Sequence, residues 1–406
     1  MKCRLKNYQN MKICLINNLY PPYARGGAEQ VVRKTVEGLI SVGHSIVLIT
    51  STPDDAGVEE DENLKIYRIK PKNIFFYTEA HKHDFLSRFF WHIIDIFNFS
   101  ISGEVKKILT WEKPDIVHTH NLMGMSFLIP RAIRALEIRH VHTVHDVQLV
   151  EPSGIILKKE ENSWRYTGWP TKVYTWIMKQ LFASPEVVIS PSQFLLDFYK
   201  ARGFFSQSKF VVVRNPMTAV VESRKSKVKS RDSNQKFNFL YLGQVEIHKG
   251  VLFLVDVFKK FVENHKNCQL HIVGDGSVLE DVKNLAMGCE NIFVHGLVGR
   301  EKLPELFAVN DVTIAPSLCY ENSPTVIFES FSFGVPVLAS RIEGIEELIV
   351  EGENGFTFEA GDFNSLTNKL QWCVENKAVI EKMSTKIPTW EKPEGEYVER
   401  LVELYG

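Results

Sequence analysis

Short apolar runs alternate with helix-patterned stretches along almost the whole chain of 406 residues. In the first half the runs are KICLIN, SIVLIT, LKIYRI, DIVHTH, RHVHTV, EVVIS and KFVVV; in the second half they are FNFLYLG, CQLHIVG, NIFVHG, DVTIAPS, VPVLAS and GFTF. Helical stretches fall between them, at 28–41, 250–264, 277–286 and 300–308. Strands that alternate with helices form parallel sheets with crossover connections, and continuously apolar strands are buried on both faces. The pattern therefore predicts an α/β protein.

A polar segment divides this alternation into two series. Residues 221–236, VESRKSKVKSRDSNQK, hold only two valines among charged and polar side chains, which is typical of a linker or exposed loop. We therefore predict two Rossmann-like domains, over 1–220 and 237–387, and an amphipathic C-terminal helix over about 388–406. Ligands of such sheets bind beyond the carboxyl ends of the strands, so we expect both parallel sheets to face a cleft between the domains.

The net charge of −1 conceals a strong asymmetry between the two halves. Residues 1–236 carry 34 Lys and Arg against 23 Asp and Glu, whereas residues 237–406 carry 14 against 26. A basic first half suits an anionic acceptor or a membrane surface, although a basic linker and ordinary solvated faces account for part of it. The aromatic segment 83–99 is expected to form a buried helix or an acceptor-side helix, with peripheral membrane contact as the alternative. A second aromatic segment, 163–182, could form an acceptor-side flap.

Cysteine usage and hydropathy indicate the compartment. The six cysteines are scattered without a CxxC pair, as expected for reduced thiols. The first residues, MKCRLKNYQN, are polar and basic, unlike a signal peptide, and no apolar run reaches eighteen residues. We therefore expect a cytoplasmic protein, with association to the inner face of the membrane as a further hypothesis.

Two glycine-containing turns follow predicted strands. Gly26 and Gly27 directly precede a helix, where a phosphate could approach the backbone and the helix N-terminus; a plain tight turn is the alternative. The GDG turn at 274–276 follows CQLHIV, but Leu279 stands where a dinucleotide fingerprint has its third glycine. This turn is better explained as the wall of a nucleotide pocket than as part of a dehydrogenase.

Lys249 ends the segment GQVEIHKG, immediately before another predicted helix. At that place its ammonium could neutralise a phosphate, although most lysines only solvate a surface. Position alone leaves both interpretations open.

Histidines are concentrated on two predicted strands of the first half. His118 and His120 share one face of DIVHTH, His140 and His142 share a face of RHVHTV, and His145 follows. No acidic or cysteine ligand stands at a diagnostic spacing, so we favour a polar pocket wall over a metal site. His120 and His145 lie where strands end, and an imidazole there could bind a sugar hydroxyl or a phosphate oxygen.

The segment ENSPTVIFES, residues 321–330, places two carboxylates around a predicted helix start. Asn322 and Ser323 are favourable N-cap residues, and Pro324 suits the first helical position. Glu321 would then lie just outside the helix and Glu329 about one and a half turns inside it.

In their order and spacing, these segments resemble the retaining glycosyltransferases of family 4, which have the two-domain GT-B fold. The matching motifs of the first half are PPYARGGAEQVV, GHSIVLIT, PDIVHTHN, TVHD, VISPSQF and VVRNP. Those of the second half are YLGQVEIHKGV, LHIVGDG, HGLVGREKL and, most specifically, APSLCYENSPTVIFESFSFGVPVLAS. The resemblance covers nearly the whole chain.

The resemblance implies a role for each site residue. Glu321 would bind sugar hydroxyls, Glu329 the nucleotide ribose and Lys249 the diphosphate, while His145 would lie near the reacting sugar. The backbone around Leu297 would recognise the base. The other donor-binding positions that it implies are Gly26, Gly27, Gln244, Gly274, Asn322, Ser323, Pro324 and Thr325, and those of the acceptor side are His120 and Asp146.

Two positions depart from the family pattern. Gln244 stands where the family usually has arginine, so one cation expected on the diphosphate is absent, although the amide can still donate to a phosphate oxygen. The usual E-G-F-G after the first glutamate is E-N-S-P here.

The function implied is retaining hexosyl transfer from a UDP- or GDP-sugar to a glycan, lipid-linked or small-molecule acceptor, in bacterial polysaccharide or glycolipid synthesis. No metal, cofactor or nucleic acid is expected. The alternatives are a non-catalytic nucleotide-sugar-binding protein and another GT-B enzyme, such as a sugar-nucleotide epimerase or a phosphorylase.

Overall fold

The chain forms two compact units in a computed structural model that describes residues 10–23, 26–216, 236–387 and 394–406. Of these residues, the first unit contains 10–154, 164–216 and 394–406, and the second contains 155–163 and 236–387. The predicted linker at 221–236 lies outside the described residues except for Lys236. Each unit is an α/β sandwich around one largely parallel sheet, as predicted.

The predicted first domain, 1–220, needs one correction, because residues 155–163 belong to the second unit. Leu157 forms a β-bridge with Cys319, and the Lys158 amide donates to the Leu318 carbonyl at 2.9 Å. The backbone partners of this segment are about 160 residues away in the chain, so local sequence contains no signal for its placement.

The described strands of the first unit form one sheet in the order β3-β4-β2-β1-β5-β6-β7-β8. Their bounds are β1 Lys12–Ile16, β2 Ser45–Ser51, β3 Gly57–Asp61, β4 Leu64–Ile69, β5 Ile116–Thr119, β6 Arg139–Thr143, β7 Val187–Ser190 and β8 Lys209–Val212. β1 pairs in parallel with both β2 and β5. The strand order reverses between β1 and β5, so their carboxyl ends flank the place where such sheets bind ligands.

Strand β3 was not predicted and pairs antiparallel with β4. Its sequence, GVEED, is exposed throughout, so it lacks the apolar run by which the other strands were recognised. An acidic, exposed edge strand of this kind also discourages edge-to-edge association.

The helices of the first unit cover the sheet. Their bounds are α1 Gly27–Ser41, α2 Phe85–Ile96, α3 Phe99–Glu112, α4 Ile129–Ala135, α5 Trp164–Thr167, α6 Trp169–Phe182 and α7 Gln193–Ala201. The C-terminal helix, Glu394–Tyr405, completes the unit; we call it α15 because seven helices of the second unit precede it in the chain. The part of the predicted 388–406 helix before Glu394 lies outside the described residues.

The helix expected over 83–99 is divided in two at Asn98. The Asn98 side chain accepts from the Ile101 amide at 3.2 Å and so begins α3 as its N-cap. Of the possibilities expected for this segment, the buried helix is wrong, because most of the apolar side chains of α2 are exposed.

In the second unit the described strands form a wholly parallel sheet in the order β11-β10-β9-β12-β13-β14. The strands are β9 Phe237–Leu242, β10 Cys268–Val273, β11 Ile292–Gly296, β12 Val312–Ala315, β13 Val337–Arg341 and β14 Gly355–Glu359. The helices are α8 Val251–Asn264, α9 Leu279–Ala286, α10 Leu303–Val309, α11 Thr325–Ser332, α12 Glu343–Glu346, α13 Phe363–Glu375 and α14 Lys377–Lys386. The order reverses between β9 and β12, which we call the switch point of this unit.

Helix α15 packs against α1 in the core of the first unit. Val398 and Leu401 are buried, and the Tyr397 hydroxyl hydrogen-bonds to Thr35 Oγ1 at 3.0 Å. At Gly38 of α1, an added Cβ would lie 2.3 Å from a Val398 methyl group. Glycine at position 38 therefore allows the two helices to approach closely.

Gly38→Ala is expected to lower the unfolding free energy of the first unit by about 1–3 kcal/mol, because the new methyl group overpacks this contact. Urea titration followed by tryptophan fluorescence measures the change. The second substitution Val398→Ala should recover part of the loss.

Gly103→Ala is the matched control, since Gly103 lies inside α3 with open space around the position that an alanine Cβ would take. It should stabilise the protein by about 0.5–1 kcal/mol. Equal effects of the two alanines would contradict the packing assigned to α15.

Candidate functional site

The turns that follow β9 and β12 meet at the switch point of the second unit. Gly250 has a φ of +74°, and a Cβ there would lie 1.9 Å from the Pro316 carbonyl oxygen. The Leu318 amide donates to the His248 carbonyl at 2.8 Å. Lys249, which ends the 3-10 turn Ile247–Lys249, is thereby held beside the loop that leads to Glu321.

Lys249 and Glu321 form an ion pair at this place. Lys249 Nζ lies 2.6 Å from Glu321 Oε1, and the same oxygen accepts from Ser317 Oγ at 2.7 Å. The Glu321 side chain is only 10% exposed. Both hydrogen bonds end on Oε1, so they leave Oε2 as the second acceptor of a buried carboxylate.

The electrostatics of the pair keep the lysine charged. Burial opposes the ammonium form, but the Glu321 carboxylate and, to a smaller extent, Cys319 together raise the pKa of Lys249. Burial raises the pKa of the neighbouring Cys319 thiol to about 12, so this thiol stays protonated at neutral pH.

The segment after Glu321 is built differently from the expectation. Helix α11 begins at Thr325, and Pro324 is the residue before it, with an extended ψ of 122° rather than the first helical conformation. The N-cap of α11 is Pro324, which makes no side-chain capping bond, so the prediction of Asn322 or Ser323 as the N-cap is wrong. Among the described residues, the buried Ser323 hydroxyl has no hydrogen-bond partner.

Glu329 lies inside α11 and is buried. Its Oε1 accepts a hydrogen bond from Arg300 Nη2 at 2.5 Å. Arg300 begins the 3-10 turn Arg300–Lys302, which follows β11. Arg300 lies within the motif HGLVGREKL but was not predicted as a site residue. Leu297, three residues earlier, is 79% exposed.

The GDG turn packs against the turn after β9. A Cβ at Gly274 would lie 1.8 Å from the Gly243 carbonyl oxygen, and one at Gly276 would lie 2.3 Å from that of Val245. Both glycines are therefore required by the close approach of two backbones. Gln244 lies between these contacts and is half-buried; its carbonyl accepts from the Tyr241 hydroxyl at 2.5 Å.

In the first unit, Gly26 and Gly27 lie at the start of α1. Gly26 precedes the helix in an extended conformation, and its amide donates to Glu29 Oε2 at 2.9 Å. Sequence reasoning missed Glu29, which is buried and provides a carboxylate at a helix start where a phosphate was expected.

The predicted histidines separate into two groups. His118, His140 and His142 are buried within the sheet and hydrogen-bond to neighbours; His118, for example, bonds to Tyr405 of α15 at 2.6 Å. His140 Nδ1 has no hydrogen-bond partner among the described residues. His120 Nδ1 and His145 Nε2 lie 2.9 Å apart.

A small cavity lies next to this histidine pair. It is lined by His120, His145, Asp146, Gln148 and Tyr199, among others. The structure thus brings together His120 and Asp146, predicted for the acceptor side, and His145, predicted to lie near the reacting sugar. His120 Nε2 is buried and has no hydrogen-bond partner among the described residues.

Burial controls the charges around this cavity. It lowers the pKa of His145 to about 4 and raises the pKa of Asp146 to about 6. The imidazole is therefore neutral at pH 7 and can serve as a hydrogen-bonding group.

Neither a metal cluster nor a membrane-spanning helix is found in the part of the chain that the structure describes. No group of three or more His, Cys, Asp or Glu residues is arranged there to hold a metal ion. No described helix is both long enough and apolar enough to cross a bilayer.

Comparison with known proteins supports the resemblance. Residues 25–218 match the model described as Glycosyltransferase Family 4, and residues 222–390 match that of Glycosyl transferases group 1. An uncharacterised 42.6 kDa protein in the cps region of Klebsiella pneumoniae is 28% identical over 341 residues, which cover 83% of this chain and 87% of that protein.

Two solved structures are similar throughout. HepE of Anabaena, in complex with UDP and glucose, has a TM-score of 0.68 at 16% identity and covers 97% of this chain and 99% of its own. WaaG, a glycosyltransferase involved in lipopolysaccharide biosynthesis, has a TM-score of 0.65 at 15% identity, with coverages of 97% and 99%.

Two successive Rossmann-like units with this similarity define the GT-B fold. The chain belongs to glycosyltransferase family 4, because the two matches together span nearly its whole length.

The buried histidines predict how stability depends on pH. Burial lowers the pKa of His118 and His140 to about 3 and that of His145 to about 4, and it lowers those of His120 and His142 well below the usual value. Below pH ~6.5 the unfolded chain binds protons that the folded chain does not. Stability is therefore lost as pH falls from about 6.5 towards the folded values, by at most about 1.4 kcal/mol per pH unit for each histidine.

Two buried carboxyl groups act in the opposite sense. Burial raises the pKa of Asp95 to about 8 and that of Asp146 to about 6, so the folded chain holds these protons more tightly. Since the histidines outnumber them, we expect the unfolding free energy to fall between pH 7 and pH 5 in urea titrations. His140→Asn should make this dependence shallower. Stability that is constant or increases towards pH 5 would contradict the account.

Proposed function

We propose that this enzyme transfers a hexosyl group from a UDP- or GDP-sugar with retention of anomeric configuration and without a metal ion. The observation that carries the proposal is the Lys249–Glu321 ion pair, at 2.6 Å, between the turns after β9 and β12. These turns lie at the switch point, where open α/β sheets bind their ligands.

Lys249 would stabilise the diphosphate as it leaves. Its raised pKa keeps the ammonium charged, and a fixed cation is most effective where negative charge develops in the transition state. Before the donor binds, Glu321 holds this cation in place through Oε1. Oε2 would then accept a hydrogen bond from a sugar hydroxyl.

The start of α11 would complete the diphosphate site. Its first backbone amides have no helical partners and favour an anion, and the Ser323 hydroxyl lacks a partner among the described residues. Asn322, Pro324 and Thr325 would contribute backbone to the same site. Gln244 would donate its amide to a phosphate oxygen without offsetting charge.

The nucleoside would bind beside Glu329. This carboxylate is already oriented by Arg300 and could accept from the ribose hydroxyls. The backbone at Leu297, on the exposed turn after β11, would recognise the base, while Gly274 allows the turn after β10 to pack closely.

The first unit would contribute the acceptor side. His145, neutral at pH 7, would hydrogen-bond to a hydroxyl near the reacting carbon, with His120 fixing the orientation of its ring. Asp146 would bind an acceptor hydroxyl. Gly26 and Gly27 would let the diphosphate approach the backbone at the start of α1, where the Gly26 amide donates to Glu29.

The proposed step is a same-face displacement. The bond between the anomeric carbon and the phosphate oxygen breaks, and a bond from the acceptor oxygen forms on the same face. The acceptor proton passes to the departing phosphate oxygen, so no side chain is needed as a nucleophile. The two glutamates would position the donor, unlike the carboxylate pair of retaining glycosidases.

The setting that we propose is bacterial polysaccharide or glycolipid synthesis, with a glycan or lipid-linked acceptor at the cytoplasmic face of a membrane. WaaG, which takes part in lipopolysaccharide biosynthesis, supports this proposal through its similar fold. HepE, whose structure holds UDP and glucose, supports a nucleotide-sugar donor.

Donor turnover with a panel of UDP- and GDP-sugars tests the proposal. We expect one donor to be turned over with retained configuration by proton NMR, and equally fast with EDTA present. Lys249→Met should lower kcat about 10²–10³-fold and change KM less, because its main contact strengthens in the transition state.

Lys283→Met is the matched control. Lys283 is paired with Glu280 at the same 2.6 Å, but on the exposed face of α9, and its loss should leave kcat unchanged. Binding without turnover by the wild-type enzyme would instead favour a non-catalytic nucleotide-sugar-binding protein. Full activity of Glu321→Ala would contradict the assigned site.

A further inference from the structure

Helix α2 presents its apolar side chains to the solvent. Trp91 and Asp95 are buried on its inner face. The outer face consists of seven apolar side chains that are between 40% and 73% exposed, namely Phe85, Leu86, Phe89, Phe90, Ile93, Ile94 and Phe97. A surface helix normally has the reverse arrangement, so a contiguous face of this kind marks an interaction site.

A second group of exposed aromatic side chains lies on α5 and α6. Trp169, Val173 and Trp176 follow one another at helical spacing on α6 and are 69%, 47% and 62% exposed. Trp164 on α5 is 66% exposed.

Helices α2 and α6 are anchored to the same part of the first unit. Both Asp95 oxygens of α2 accept from the Gly124 amide at 3.0 Å, and the Tyr174 hydroxyl of α6 donates to the Gln148 carbonyl at 2.9 Å. Gln148 and Leu122, which is close to Gly124 in the chain, line the same cavity. The two exposed apolar groups therefore belong to one region, which we call the α2–α6 surface.

The charges around the α2–α6 surface are basic. Residues 162–185 contain three cations, Arg165, Lys172 and Lys179, and no acidic residue. Arg88 is exposed on α2, as is the N-cap residue Asp84, whereas Asp95 is buried. On α3 the exposed Lys106 and Lys107 outnumber one exposed carboxylate, Glu104.

We propose that the α2–α6 surface docks on an anionic lipid bilayer. The phenylalanine and isoleucine side chains of α2 would enter the boundary between headgroups and acyl chains, and the tryptophans would lie at headgroup level. The basic side chains would contact lipid phosphates. This inference rests on the proposed function, since it places the enzyme where a lipid-linked acceptor is found.

A second copy of the chain fits this surface less well. In a twofold contact the same patch meets itself, so its cations, which outnumber its acidic side chains, would face one another. An anionic bilayer satisfies the apolar side chains and the charges together.

Vesicle flotation of the full chain tests the proposal. Wild-type protein should float with vesicles that contain about 30% phosphatidylglycerol and bind at least tenfold more weakly to pure phosphatidylcholine, with binding reduced by salt. Phe89→Ser/Ile93→Ser should weaken partitioning about tenfold or more, because two apolar side chains are lost. Met287→Ser is the control, since Met287 is 73% exposed but belongs to the second unit.

A double charge-reversal variant measures the electrostatic contribution to vesicle binding. Arg88→Glu/Lys172→Glu should lower partitioning about tenfold, whereas Lys266→Glu on the second unit should not. The proposal is overturned if wild-type protein does not bind anionic vesicles, or if light scattering shows a dimer that Phe89→Ser/Ile93→Ser dissociates.

A nucleotide-sugar donor should raise the melting temperature of the protein. This rise shows whether a failed experiment argues against the docking surface or against the proposed function. It should be the same in the wild type and in both surface variants, because none of the substituted residues is assigned to donor binding. Loss of flotation with this rise intact supports the docking surface. Flotation by a protein that no nucleotide sugar stabilises would contradict the proposed function and leave the docking result standing.

Discussion

The ion pair between Lys249 and Glu321 is the interaction on which the proposed chemistry depends. It exists because two turns meet at the switch point, where Gly250 takes a left-handed conformation against the Pro316 carbonyl. A side chain at position 250 would push the turns apart and separate the charges. The fold therefore supplies a fixed, charged ammonium at the place where a parallel sheet receives its ligand.

The two units use buried polar groups in different ways. In the second unit, buried carboxylates are paired with cations, Glu321 with Lys249 and Glu329 with Arg300. In the first unit, burial keeps the histidines neutral, and His145 remains a hydrogen-bonding group beside a cavity. The charged groups proposed for the leaving diphosphate thus belong to the second unit. The neutral hydrogen-bonding groups proposed for a hydroxyl belong to the first unit.

The features of the fold that could be predicted were those encoded in short sequence segments. Apolar runs located all strands of both sheets except β3, which is exposed and acidic. The residues of the candidate site were recognisable through their motifs, but their partners were not. Arg300 meets Glu329 across 29 residues of the chain, and Ser317, although only 4 residues before Glu321, lies in a loop without a regular pattern. The prediction that α2 would be buried was wrong. Hydrophobic periodicity identifies the apolar face of a helix, but it does not say whether the rest of the protein or another partner covers that face.

Calorimetric titration of a nucleoside diphosphate and the matching monophosphate, UDP against UMP or GDP against GMP, tests the central claim most directly. If Lys249 holds the diphosphate, Lys249→Met will weaken diphosphate binding at least about tenfold more than monophosphate binding, because only the diphosphate reaches the ammonium. Equal weakening of both nucleotides, or none, would contradict the role assigned to the Lys249–Glu321 pair.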